Sequence, residues 1–140
     1  MVEPIHLHYK VTDEDFTQAG EASANLKSKL KTIGFPTEVI RKVTIALYEG
    51  EINLVIHAGG GEIDVTISDD RIHLVISDCG PGIEDIGLAM SEGWSSAPDE
   101  IRSLGFGAGM GLPNMKKYAD TFDIQSTVGA GTTITMEVMC

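Results

Sequence analysis

The chain has 140 residues, 42% hydrophobic and 22% charged, which sets it among single globular domains and excludes a disordered, collagenous or coiled-coil chain. Ten basic residues against twenty-one acidic ones give a formal charge of −11, which repels nucleic acid and anionic membrane surfaces. Apolar runs such as Leu54-Val55-Ile56 are far too short to span a membrane, and the N-terminus carries no basic, apolar leader, so a cytoplasmic protein is expected.

Residues Ile5 to Val11 alternate apolar and polar, the period of a strand with one buried face at a sheet edge. From Asp13 to about Ile33 the composition becomes that of an amphipathic helix, with Thr12 or Asp13 as cap and Gly34 beyond its end. Pro36 suits the first turn of a second helix, which runs through Val39, Val43, Leu47 and Leu54 and stops at Gly59-Gly60-Gly61. Its middle, from Val43 to Ile56, is apolar almost all round, so it is expected to lie buried between layers. Two strands follow, Glu62 to Ser68 and Arg71 to Ser77, joined at Asp69-Asp70 as an antiparallel hairpin. A short helix is expected around Asp85 to Ser91, then a mobile, polar stretch from Gly93 to Gly105. A helix from about Leu112 to Ala119 and a final hairpin, Phe122 to Thr127 and Thr132 to Val138, complete the chain. The expectation is one domain over residues 1–140, a two-layer α+β sandwich with a mixed, mostly antiparallel sheet covered on one face by helices.

Glycine is the most unevenly distributed residue: eight of the sixteen lie between Gly80 and Gly111, where the backbone must turn sharply or approach a ligand. Three features there and on the second helix bear chemistry. Glu49 and Asn53 are four apart and point the same way, as oxygen ligands or a water-positioning base beside a hard cation, or else as a helix face reaching solvent. Glu51 points elsewhere and is expected to be solvated. Asp78 ends a strand at Cys79-Gly80-Pro81-Gly82 and leaves a carboxylate at the sheet rim, where it could accept from an exocyclic amine or simply end the strand. The run Gly105-Phe106-Gly107-Ala108-Gly109-Met110-Gly111-Leu112 offers unhindered N–H groups before a helix, a means of holding phosphate without net positive charge, or a hinge. It is neither a P-loop nor a dinucleotide fingerprint. His6 and His8 share a strand face that reads as solvated, and Cys79 and Cys140, far apart, suggest neither zinc nor a disulfide.

Taken in this order and followed by Gly131-Thr132, these motifs resemble the gyrase, Hsp90, histidine kinase and MutL superfamily of ATP-binding domains. Within it the chain is similar to the small bacterial switch kinases and anti-sigma factors of stress and sporulation control. The segments Asn53 to Ile63 and Gly111-Leu112-Pro113-Asn114-Met115-Lys116 resemble the stressosome serine kinase, and Ser95 to Ser103 resembles the lid of the anti-sigma kinases. The resemblance implies ATP and Mg2+ as cofactors. It implies Glu49 as the base toward a protein hydroxyl, Asn53 on magnesium, Asp78 on the adenine amino group and Thr132 beneath the base. Gly80 and Gly82 would shape the adenine pocket. Gly105, Gly107, Gly109, Gly111 and Leu112 would wrap the phosphates, and Arg102 would contact the terminal one. The chain departs from those kinases in an additional Gly-Met step within Gly107 to Gly111, and in Gly50 and Glu51 beside Glu49. The function so implied is a serine/threonine kinase acting on a STAS-type antagonist and controlling a sigma factor, with a homodimer compatible. The alternatives are a nucleotide-gated binding module without catalysis and a stand-alone histidine kinase catalytic domain.

Overall fold

The computed structural model describes residues 3–12, 20–80, 82–83, 90 and 111–140. Among these residues five strands, β1 (Ile5–Thr12), β2 (Gly60–Ile67), β3 (Arg71–Ser77), β4 (Thr121–Thr127) and β5 (Gly131–Met139), form one open sheet in the order β1-β2-β3-β5-β4. Every pairing is antiparallel, the stricter form of the mostly antiparallel sheet expected. β1 lies at an edge, as its alternation predicts. The register pairs Ile63 with Ile76 and Ile76 with Ile134, so the apolar residues of three central strands fall on one face.

Among the described residues three helices, α1 (Glu21–Ile33), α2 (Thr37–Asn53) and α3 (Gly111–Tyr118), cover that face. α2 packs against both α1 and α3. That position explains why its buried set, Val39, Ile40, Val43, Ala46, Leu47, Gly50, Glu51 and Ile52, is wider than a surface helix needs. At Gly50 an added Cβ would run into the Ile76 side chain and sit 3.5 Å from Met115 Sδ, so glycine there lets α2 settle onto β3 and against α3.

Several boundaries differ from the expectation. α1 begins at Glu21 behind Gly20 and Thr12 is the last residue of β1, while Asp13 and the rest of the expected helical stretch up to residue 19 lie outside the described residues. The regular part of α2 ends at Asn53, and Leu54–Ala58 continues as a π-helical turn closed by Gly59 N–H on the Leu54 carbonyl. β2 then starts at Gly60, before the predicted Glu62. The predicted short helix at Asp85 to Ser91 and the stretch Gly93 to Gly105 lie outside the described residues, apart from Met90.

Candidate functional site

The rim of the sheet, where β3 ends beside the start of β5, is built around one carboxylate. Asp78 N–H donates to the Thr132 carbonyl at 3.0 Å, which aligns the end of β3 with β5. Its Oδ1 accepts from Gly80 N–H at 2.8 Å and from Thr132 N–H at 3.2 Å. Oδ2 accepts no hydrogen bond from a described residue, leaving an acceptor on a group already locked by its other oxygen. Thr132 is buried, and its hydroxyl lies 2.8 Å from Ser126 Oγ, which also accepts from Ile83 N–H at 2.8 Å. Asp78, Gly80, Thr132 and Ser126 therefore form one hydrogen-bonded rim that ties the turn after β3 to the last hairpin.

Glycine is required in that rim by contact and conformation together. Gly131 has φ +129, and a Cβ on it would collide with the Asp78 carbonyl. Gly80 lies against Ala58 at the end of the π-helical turn, so the rim and the turn that continues α2 are in close contact.

The second half of the site stands on α2. Glu49 is half-buried, and burial pushes its carboxyl above the usual glutamate value of 4.5, while a hydrogen bond from Asn114 Nδ2 to Oε1 at 3.3 Å opposes that rise. Asn53, one turn on, is half-buried at the junction where the α-helix widens into the π-turn. Asn114 is the residue that sequence reasoning did not single out as functional. It sits in the first turn and a half of α3, directly after the glycine cluster, and its place in the quoted motif was the only signal.

Glu51, expected in solvent, is 2% exposed. Its two carboxylate oxygens accept from Ala22 N–H and Ser23 N–H, each at 3.1 Å, and so satisfy the first turn of α1. The face of α2 opposite Glu49 meets a helix N-terminus rather than water, and Glu51 is a remote cap in place of a local one.

The remaining predicted residues divide cleanly. Gly111 and Leu112 open α3, with Leu112 buried in the core. Gly82 has φ +79 beside Thr127. Arg102, Gly105, Gly107 and Gly109 lie outside the described residues. His8 pairs with Asp64 at 2.8 Å and His6 with Thr66 at 3.1 Å, so both belong to an exposed strand face. Among the described residues no group of three His, Cys, Asp or Glu could hold a metal ion. Asn53 and Glu49 alone suit magnesium only as a minority of its ligands, the arrangement in which phosphate and water oxygens complete the shell.

An open antiparallel sheet with helices on one face is an α+β sandwich, and here it carries a locked rim carboxylate and a helix-borne acid. A family model described as "Histidine kinase-like ATPase domain" matches residues 12–138, and the chain belongs to that family. Among similar proteins is the serine/threonine-protein kinase RsbT of Bacillus subtilis, 32% identical over 128 residues, which span 89% of this chain and 88% of that one. Another is an anti-sigma F factor of Caldanaerobacter subterraneus, 33% identical over 104 residues, 71% of this chain and 69% of that one. A solved structure of the RsbU and RsbW domains of a Mycobacterium tuberculosis protein has the same fold, with TM-score 0.61 and 20% identity. That match covers 96% of this chain, which spans about a third (32%) of the longer one.

Proposed function

We propose that this chain is an ATP-dependent serine/threonine protein kinase of the switch type, which transfers phosphate to a hydroxyl of a STAS-type antagonist and thereby controls a sigma factor or similar regulator. Similarity to a named serine/threonine-protein kinase over most of both chains supports the class. The observation that carries the chemistry is Glu49, half-buried on α2 and held by Asn114.

In this reading each residue has a physical task. Glu49 accepts the proton of the incoming hydroxyl, a role suited to a carboxylate whose affinity for protons burial has raised. Asp78 Oδ2 accepts from the adenine amino group, with Oδ1 anchored so that the acceptor does not turn away. Thr132 supports the base from β5, and Gly80 and Gly82 give the turn its tight shape. Asn53 contributes one oxygen to magnesium. As the resemblance implies, Gly105, Gly107, Gly109, Gly111 and Leu112 would wrap the phosphates, and Arg102 would contact the terminal one. Bound MgATP would supply the phosphoryl group and the cation that offsets its charge, which an acidic protein needs.

No described helix is long and apolar enough to cross a membrane, and both cysteines are free and exposed. A cytoplasmic setting agrees with both. Incubation with labelled ATP and magnesium beside candidate antagonist proteins, followed by phosphoamino-acid analysis, tests the proposal. Phosphoserine or phosphothreonine on the antagonist is expected. Acid-labile phosphate would instead mark histidine transfer, and nucleotide-dependent association without any label would mark a binding module.

A further inference from the structure

The charge of this protein is distributed unevenly. Five of its ten basic residues lie between Lys27 and Lys42, a span that contains one of its twenty-one acidic residues, Glu38. Residues of this span, with Thr44 and Ile45, line a groove of about 520 Å³ between α1 and α2. Phe35, Ile40 and Ile45 give it apolar lining, and Lys27 and Lys31, one turn apart on α1, line it together with Arg41 of α2. Arg41 is held in place by Glu38 at 3.2 Å and by the Tyr118 ring 5.3 Å away. Lys27 and Lys31 are exposed and form no ion pair with a described residue.

We propose that this groove docks an acidic amphipathic segment of the protein substrate, its carboxylates on Lys27, Lys31 and Arg41 and its apolar side chains on Phe35, Ile40 and Ile45. Charge complementarity selects the occupant. In a chain of net charge −11, a basic rim whose two lysines have no ion pair with a described residue, set beside an apolar floor, attracts an acidic partner locally while the rest of the surface repels it. Nucleic acid shares the attraction to lysine but not the apolar floor, and the surrounding charge opposes it.

The groove also leads to the site. Ile45 stands one helical turn before Glu49 on α2, about 6 Å along the axis, so a segment anchored here holds its own chain beside the acid. This use of the groove rests on the kinase reading, whereas the binding itself requires no nucleotide.

The test is nuclear magnetic resonance titration of the 15N-labelled full chain with a synthetic helix-forming peptide bearing leucine on one face and glutamate on the other. Its lysine-for-glutamate counterpart and a single-stranded oligothymidylate are run in parallel. Saturable shifts are expected at the amides of Lys27, Lys31, Thr37, Arg41 and Ile45 with the acidic peptide alone. The double variant Lys27→Glu/Lys31→Glu should bind about tenfold more weakly or less, and Lys27→Gln/Lys31→Gln should fall between. Unperturbed resonances from the sheet report that each variant remains folded. Absence of saturable shifts in the groove, equal or stronger binding of the basic peptide or the oligonucleotide, or unchanged affinity in both variants would overturn the proposal. Because no ATP is present, failure here leaves the phosphotransfer assay untouched, and failure of phosphotransfer leaves this binding intact.

Discussion

Asn114 Nδ2 donates to Glu49 Oε1 across 3.3 Å, joining the start of α3 to the last third of α2. One side chain thus connects the helix that follows the glycine cluster with the acid assigned as base.

Glu49→Gln keeps the shape and the hydrogen-bonding capacity of the side chain but removes the proton acceptor. Phosphotransfer should fall by roughly 10²–10⁴-fold while nucleotide affinity stays close to wild type. Unchanged transfer in single-turnover kinetics would remove Glu49 as the base.

The pH dependence follows from the same contact. Burial raises the Glu49 pKa above 4.5 and the Asn114 bond lowers it, so transfer, which needs the ionised form, declines as pH falls through the raised value. Asn114→Leu removes the opposing bond and should move the acid limb to higher pH. Stability has the opposite sign: a carboxyl whose folded pKa exceeds its unfolded one contributes fully below the unfolded value and loses that contribution as pH rises through the folded value. Glu49→Gln should therefore melt at a higher temperature than wild type near pH 7, and the difference should vanish in acid. Thermal melts at both pH values measure this.

Glu51, two residues further along α2, has a structural role. Glu51→Ala leaves the Ala22 and Ser23 N–H groups buried without acceptors and should cost about 1–3 kcal/mol per group in urea unfolding. Glu51→Gln, which keeps a single acceptor oxygen, should lose less. Neither should alter the pH profile of transfer, in contrast to Asn114→Leu.

Gly131→Ala tests how the rim is held. The substitution forces a Cβ at φ +129 toward the Asp78 carbonyl, and about 1–3 kcal/mol of stability should be lost in urea unfolding. Nucleotide affinity should weaken with it because Asp78 must shift. An unaltered midpoint would show that the rim yields more easily than its packing suggests.

Much of the fold was legible because it rests on period and punctuation. The two-residue alternation in β1, the turn residues at Asp69-Asp70, and the apolarity of the middle of α2 each have one physical reading, and the sheet and helix layer follow from them. Glu51 was misread because a residue on the far side of a helix from a site is ordinarily in water. Here the far side meets the N-terminus of α1, a tertiary fact with no local signature. The π-turn after Asn53 was hidden for a related reason, since one extra residue in a turn barely changes the hydrophobic pattern across five residues. Asn114 meets Glu49 only once α3 is packed on α2, and no spacing within either segment reports that contact.

The central claim is that adenine nucleotide is held at the rim by Asp78. Asp78→Asn retains a carbonyl oxygen for the Gly80 and Thr132 N–H groups but places an amide donor where the adenine amine needs an acceptor. Isothermal titration calorimetry with ATP and magnesium measures the consequence directly. The account predicts one-site binding by the wild type and about 10–100-fold weaker binding by the variant, with little change in melting temperature. Equal affinity in both proteins, or no heat of binding in the wild type, would contradict it.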